Sequence, residues 1–237
     1  QLEGVRKKLA LEMGKRRANP VEVKRLQAAQ DKILKQKADV SNNYFDSHKY
    51  ADQAKASGNY QEAASYHEKA IKLAKMNGEK PDVLAMENYF AGTTYFNAGR
   101  TAKKSEDAVK YFKKASEMSS RSADHYAKTG NVAEAINQKV FGGDIDGAVK
   151  YVGQLGKPKQ IETVKSFVRA AEHHVDGVGK GIAGENILAL RHFKAAERLH
   201  QKLNLNDQGS LLRIRNAITA VEKKLKPHER SLIEMGN

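Results

Sequence analysis

Apolar residues recur at intervals of three, four and seven along most of the chain, the spacing of one face of an α-helix. Short runs of β-branched residues with alternating polarity are missing from the sequence. Capping residues and breakers then predict helices over residues 1–18, 21–40, 44–57, 60–77, 81–98, 105–119, 121–129, 132–141, 145–155, 159–176, 185–204 and 208–225. Gly99 is expected to end the helix before it, and Pro227 to end the last helix and leave a loose tail. The pattern predicts an all-α protein.

One phrase, in which two Ala residues seven positions apart flank a ring, recurs along the chain. The copies are Ala63, His67 and Ala70; Ala108, Phe112 and Ala115; and Ala189, Phe193 and Ala196. Small residues let two helix backbones approach closely, and the ring fills the space beside them. An isolated helix pair cannot bury its apolar face, so recurrence of this unit predicts a stacked array of helical hairpins.

A second phrase consists of a small residue, then a Tyr-like position three residues later, then a turn Gly four residues after that. It occurs as Ala51, Ala54 and Gly58; Gly92, Tyr95 and Gly99; and Ala123, Tyr126 and Gly130. In this order the two phrases resemble the tetratricopeptide repeat, a family with two antiparallel helices in about 34 residues. The resemblance implies antiparallel hairpins stacked into a right-handed superhelix, an α-solenoid.

The resemblance also divides the chain. Residues 1–43 are expected to be a basic N-terminal helical extension, residues 44–155 tetratricopeptide-like repeats, and residues 156–237 helical hairpins of the same array. Two units follow the family closely, although nine residues rather than five separate Gly99 from Ala108. The third unit has Lys139 and Gly142 in place of the ring and the second Ala.

Ligand peptides of the tetratricopeptide family lie in a groove lined by the first helices. The resemblance implies groove positions here at Phe45, His48, Asp52, Lys55, Met86, Tyr89, Thr93 and Phe96. Tyr89 and Phe96 are expected to be exposed aromatic anchors. The alternative, which the sequence leaves open, is that another helix of this chain, for example one from residues 1–40, fills the groove. One branch of the family grips a carboxylate with Lys and Asn, but this chain has His48 and Tyr89, and Asp52 and Thr93, at those positions.

The chain carries 42 Lys and Arg against 28 Asp and Glu, a net charge of +14. The first forty residues contain eleven bases and five acids. A basic surface is predicted at Lys7, Lys8, Lys15, Arg16, Arg17, Lys24 and Arg25. Such a field attracts acidic proteins, nucleic acid or anionic lipid without choosing among them.

The first helix has an apolar stripe at Leu2, Val5, Leu9 and Met13. It is expected either to pack on the repeat array or to make a peripheral membrane contact. No stretch approaches the roughly 20 apolar residues of a membrane span, so none is expected.

Residues with the spacing of a reactive or ligand-binding site are few. The chain has no Cys, which excludes disulfides and thiol catalysis. His173 and His174 point about 100° apart on a helix, and His192 and His200 are too far apart along one, so all four are interpreted as surface residues and no metal site is expected. The Gly-rich residues 176–181 do not match the phosphate-loop pattern, because His174 stands at its first Gly position and Gly181 at its Ser or Thr position. Neither an enzyme nor a cofactor is predicted.

The sequence therefore favours a non-catalytic scaffold or adaptor that binds a peptide or helix of a partner protein, expected to be acidic. The alternatives are nucleic-acid binding, RNA above all, through the basic surface, and a structural protein that self-assembles into homo-oligomers. Composition leaves the compartment open, and the cytoplasm is favoured.

Overall fold

The computed structural model describes residues 1–15, 18–182, 184–203 and 208–234. These ranges contain twelve helices and no strand, which confirms the all-α prediction. The helices are α1 (Leu2–Met13), α2 (Pro20–Val40), α3 (Tyr44–Ala56), α4 (Tyr60–Met76), α5 (Pro81–Thr101), α6 (Ser105–Lys128), α7 (Val132–Gly142), α8 (Ile145–Val152), α9 (Lys157–Gly179), α10 (Glu185–Leu203), α11 (Gln208–Glu222) and α12 (Pro227–Glu234). None of them, over the described positions, is long and apolar enough to cross a membrane.

The chain divides into two compact units, residues 1–94 and 95–237, and the division falls within α5. Consecutive helices form the main packed pairs of each unit, α3 with α4 in the first, and α6 with α7 and α9 with α10 in the second. The three-part organisation drawn from the repeat phrases stays a prediction.

Asparagine caps set the start of two helices in the first unit. The Asn19 side chain accepts a hydrogen bond from the Val21 amide at 3.0 Å, with Pro20 as the first helical residue of α2. Asn43 accepts one from the Phe45 amide at 3.0 Å at the start of α3. Each cap satisfies an amide that has no partner within its helix, and the two helices therefore begin within a residue of their predicted starts.

The core of the first unit lies where α2 packs against the α3–α4 pair. Tyr50 and Tyr66 meet edge to face at 4.5 Å between ring centroids, and Leu34 and Ala38 of α2 are buried with them. Lys69 donates from Nζ to the Ala38 and Asp39 carbonyls at 2.6 and 3.0 Å, which satisfies the C-terminal end of α2. The basic extension is thus part of the fold of the first unit.

The apolar stripe of α1 is only partly buried. Leu2 packs against the core of the first unit, and Val5 and Leu9 are half-buried. Met13 is exposed, whereas Glu12 is buried and accepts a hydrogen bond from the Asn19 amide at 3.0 Å. The stripe therefore packs on its own chain through its first residues, and Glu12 holds the connection to α2.

The repeated Ala-ring-Ala phrases occupy buried positions in both units. Every member has less than a twentieth of its surface exposed: Ala63, His67, Ala70, Ala108, Phe112, Ala115, Ala189, Phe193 and Ala196. In the second unit, the last of these phrases lies in a core contributed by α7 to α11. Small buried residues at this spacing let neighbouring helices approach closely, as the pattern predicts.

The predicted break near residue 120 is wrong. α6 continues without interruption from Ser105 to Lys128. Ser119 and Ser122 are fully buried, so two small side chains that favour turns in isolation instead fit into a packed helix face. Tertiary packing outweighs their local preference.

The predicted loose tail after Pro227 is also wrong. Pro227 begins α12, because its fixed φ suits a first helical position. Glu229 is buried and accepts a hydrogen bond from the Lys226 amide at 2.9 Å, and α12 packs on α6. The proline therefore starts a helix here.

Gly99 does not end its helix as expected, since α5 runs on to Thr101. Its role is a close approach, because a Cβ at this position would lie 2.9 Å from Cδ1 and Cε1 of Phe112. The Phe112 ring is itself buried and cannot easily move aside. The glycine is needed for space and not for a left-handed turn.

We expect Gly99→Ala to destabilise the protein by about 1–3 kcal/mol, the usual cost of overpacking a core. Gly4→Ala is the matched control, since Gly4 lies inside α1 and a Cβ there meets no atom within 4 Å. That control should be neutral or stabilise by up to about 1 kcal/mol, through helix propensity. Urea denaturation of both variants measures the difference, and a Gly99→Ala protein as stable as wild type would refute the close-approach role.

Candidate functional site

Three large apolar side chains of the first unit stay exposed on α3 and α5. The exposed fractions are 48% for Phe45, 48% for Met86 and 36% for Tyr89. The half-buried His48 and the exposed Asp52 lie on α3 beside them. We call these five residues the α3–α5 face.

A buried carboxylate lies beneath this face. Glu87 of α5 is only 4% exposed, and its Oε1 lies 2.9 Å from Nδ1 of His48. The other ring nitrogen of His48, Nε2, lies 3.2 Å from Oδ2 of Asp52, one helical turn further along α3. His48 therefore bridges a buried and an exposed carboxylate, and it joins α5 to α3.

Both carboxylates favour the protonated imidazole. Hydrogen bonds to Asp52 and then to Glu87 raise the pKa of His48 to about 9, against the opposing effect of burial. Burial alone would raise the pKa of Glu87, but hydrogen bonding and the neighbouring imidazoles hold it below its ordinary value. The hydrogen bond from His48 likewise lowers the pKa of Asp52. At neutral pH, His48 is a cation that donates to both acids.

His67 of α4 completes the cluster from the other side. Its side chain is fully buried, and its Nδ1 lies 3.7 Å from Oε2 of Glu87, too long for a hydrogen bond. Neither ring nitrogen has a hydrogen-bond partner among the described residues. The ring stacks on Phe90 at 6.0 Å, and Phe90 also meets His48 edge to face at 5.0 Å. A polar ring is thus held in an apolar setting with its hydrogen-bonding capacity unused.

The cluster has the composition of a metal site. One donor atom from each of His48, His67 and Glu87 can be chosen so that all three lie within 4.8 Å of one another. The sequence predicts no metal site, because neither His173 with His174 nor His192 with His200 has ligand spacing along one helix. Here each ligand comes from a different helix.

The remaining groove positions behave differently from one another. Lys55 is half-buried on α3, and Thr93 donates its hydroxyl to the Phe90 carbonyl at 3.0 Å. Phe96 is only 4% exposed and packs in the second unit on Phe112 and Phe141, with ring centroids 5.2 Å apart in each case. The expectation that Phe96 is an exposed anchor is therefore wrong, because its ring belongs to a core.

Within residues 1–40, the parts that the structure describes (1–15 and 18–40) do not cover the α3–α5 face. α2 contacts other positions of α3 and α4, through the tyrosine core and through two ion pairs, Lys35 with Glu62 at 2.6 Å and Lys37 with Asp46 at 2.9 Å. Phe45, Met86 and Tyr89 keep their exposure. These parts of the N-terminal extension therefore do not fill the predicted groove in the first unit.

No sequence motif marks Glu87 as a site residue, although its position among small residues of one helix is a sign that it is buried. It lies four positions before Ala91 and two after Ala85, both fully buried. A carboxylate within such a buried stretch of helix needs a partner in the fold. The identity of that partner depends on how three helices meet, which no local spacing encodes.

A second histidine cluster lies in the second unit. His174 of α9 forms an ion pair with Glu185, and its ring stacks on that of His192 with centroids 5.5 Å apart. His192 also contacts Phe167 at 5.9 Å, and His200 is buried. The surface interpretation is therefore wrong for these histidines, although His173 is exposed. Helix α9 continues to Gly179, so residues 176–179 are helical.

The predicted basic surface is partly neutralised by its own helices. Lys7 pairs with Glu3 at 2.9 Å, Arg25 with Glu22 at 2.8 Å, and Lys15 with Glu12. Lys8 and Lys24 are exposed. Arg16 and Arg17 lie outside the described residues. The exposed pairs at Lys7 and Arg25 reduce the local positive field more than they stabilise the fold.

No protein-family model matches the chain, and a comparison with curated proteins gives no significant match.

Burial, with the charges of His174 and Arg191, lowers the pKa of His192 to about 4. The unfolded chain takes up this proton near pH 6.5, whereas the folded protein resists it down to about pH 4. The free energy of unfolding should thus fall as pH drops across that window, by about 1–2 kcal/mol between pH 6.5 and 5. His192→Phe keeps a stacking ring without a titrating group and should remove this part of the loss.

Denaturant unfolding at the two pH values checks this prediction. The difference is taken within each protein, so any change in packing caused by the substitution cancels. Equal losses of stability in wild type and His192→Phe would contradict it.

Proposed function

We propose that this chain is a non-catalytic helical-repeat scaffold that binds a peptide or helix of a partner protein on the α3–α5 face. The observation that carries the proposal is the exposure of Phe45, Met86 and Tyr89 around a buried, charged cluster. Exposed aromatic and Met side chains that are fixed by their surroundings supply binding energy at low entropic cost.

Repeat architecture supports this proposal. The buried phrases contribute small residues where helices of a pair meet, and consecutive helices form the main pairs in each unit. We propose that the pairs are tetratricopeptide-like units of a right-handed superhelix, because units of this kind bury their faces only by stacking. Arrays of this type present extended binding surfaces.

The supports beneath the face favour a rigid binding surface. Phe45 lies parallel to the His48 ring at 6.4 Å, and Nζ of Lys49 lies 4.3 Å above the Phe45 ring. Tyr89 meets Phe90 at 5.4 Å. These contacts restrict the exposed rings before any partner arrives, which reduces the entropy lost on binding. The chemistry suits apolar anchors on the partner, and the net charge of +14 favours an acidic one.

The test compares proteins captured from the native cell extract by wild type, by Met86→Ala with Tyr89→Ala, and by Met76→Ala. Met76 is the matched control, since it is an exposed Met of the same unit outside the face. We expect the double variant to bind the partner at least about 10-fold more weakly, because hot-spot truncations cost about 2 kcal/mol or more. Met76→Ala should bind as wild type does.

Each capture is repeated after nuclease treatment. The proposal is supported by a partner protein whose capture persists after nuclease treatment and is lost only with the double variant. Equal capture by all three proteins would refute the face, and capture abolished by nuclease would favour nucleic-acid binding through charge instead.

A further inference from the structure

We propose that His48, His67 and Glu87 form a binding site for a divalent transition-metal ion, with Zn²⁺ as the expected ion. The site goes beyond the scaffold function and does not depend on it. Its three ligands come from α3, α4 and α5, so a bound ion would tie these helices together.

Donor spacing fits a tetrahedral ion after a small adjustment. Bonds of about 2.0–2.2 Å place neighbouring donors of a tetrahedral Zn²⁺ roughly 3.4 Å apart. From the same carboxylate oxygen of Glu87, Oε2, the distance is 3.2 Å to Nδ1 of His48 and 3.7 Å to Nδ1 of His67, on either side of that value. The whole donor set lies within 4.8 Å, so rotation of the side chains can bring it around one ion.

His67 is the observation that points most directly to a ligand. Its ring is completely buried, is aimed at Glu87, and has no hydrogen-bond partner for either nitrogen among the described residues. Leaving such a group unsatisfied is costly, so buried imidazoles normally have partners. A metal ion would bind directly to Nδ1 of His67, the nitrogen that lies nearest Glu87.

Asp52 supplies the outer support that metal-bound histidines usually have. Its Oδ2 lies 3.2 Å from Nε2 of His48, on the side of the ring away from Glu87. Metal binding would displace the proton from Nδ1 of His48, while the proton held on Nε2 by this carboxylate keeps the Nδ1 lone pair directed towards the site and increases its basicity. The arrangement is the carboxylate–histidine–metal pattern.

The donor set selects the class of ion. Two imidazoles with one carboxylate suit Zn²⁺ and neighbouring transition metals, whereas Mg²⁺ and Ca²⁺ prefer all-oxygen sites. Three protein ligands leave one coordination position open for water or another group.

Isothermal titration calorimetry of the full chain, free of any affinity tag and stripped with chelator, tests the site. We expect one Zn²⁺ to bind per chain, with no detectable binding of Mg²⁺ under the same conditions. Glu87→Gln and His67→Gln should each weaken Zn²⁺ binding more than about 100-fold, because losing a ligand exceeds the 10- to 100-fold effect of an outer-shell change. Asp52→Asn should weaken it by roughly 10-fold.

His173→Gln is the control variant, since His173 is an exposed histidine outside the cluster. It should bind Zn²⁺ as wild type does. Circular dichroism establishes whether each variant is folded. If a buried substitution unfolds the protein, NMR of the wild-type imidazole nitrogens decides, because Zn²⁺ should shift the signals of His48 and His67 alone.

Failure of wild type to bind Zn²⁺ at micromolar concentration would overturn the proposal. Binding that persists in both ligand variants, or shifts at other histidines in place of His48 and His67, would also overturn it. In either case the cluster is a structural ion pair between His48 and Glu87, with the buried His67 ring beside it.

Discussion

The contact between Glu87 and His48 is the interaction on which the first unit depends. A carboxylate that is 4% exposed loses most of its hydration, and only a charged or strongly hydrogen-bonding partner offsets that cost. His48 provides this partner from α3, at 2.9 Å. The contact joins α5, which carries Met86 and Tyr89, to α3, which carries Phe45. The proposed binding surface and the candidate metal site thus share helices α3 and α5, since the charged pair that joins these helices also supplies two of the three proposed ligands.

Small residues provide the space in which this cluster forms. Ala51 of α3 and Ala63 and Ala70 of α4 are fully buried, and small side chains of this kind let packed helix backbones approach closely. His67 occupies the ring position of the same phrase, where the other copies have Phe112 and Phe193. A phenyl ring there would fill the volume, whereas an imidazole fills it and adds two nitrogens. One substitution within an ordinary packing phrase therefore creates a buried polar site.

Local rules predicted most helices, and they failed where tertiary packing decides. The starts of α2 and α3 follow from Asn19, Pro20 and Asn43, which act within one turn of the chain. The unbroken α6 and the helical Gly99 depend on what packs against them, so the local preferences of Ser119 and Gly99 predict helix ends that do not occur. Asp52, one of the groove positions that the repeat spacing predicts, is exposed, whereas His48 is half-buried, and the groove assignment stays a prediction. Repeat spacing could not pair His48 with Glu87, because that contact joins residues 39 positions apart.

A double-mutant cycle on His48 and Glu87 tests the central contact most directly. The unfolding free energies of wild type, His48→Gln, Glu87→Gln and the double variant are measured at neutral pH with a chelator present, so that no metal contributes. If the pair holds α5 to α3, the losses of unfolding free energy in the two single variants add up to more than the loss in the double variant. The difference, which is the coupling energy, should be about 1–3 kcal/mol. Losses that add within about 0.5 kcal/mol would show that the two side chains act independently, and would contradict this account.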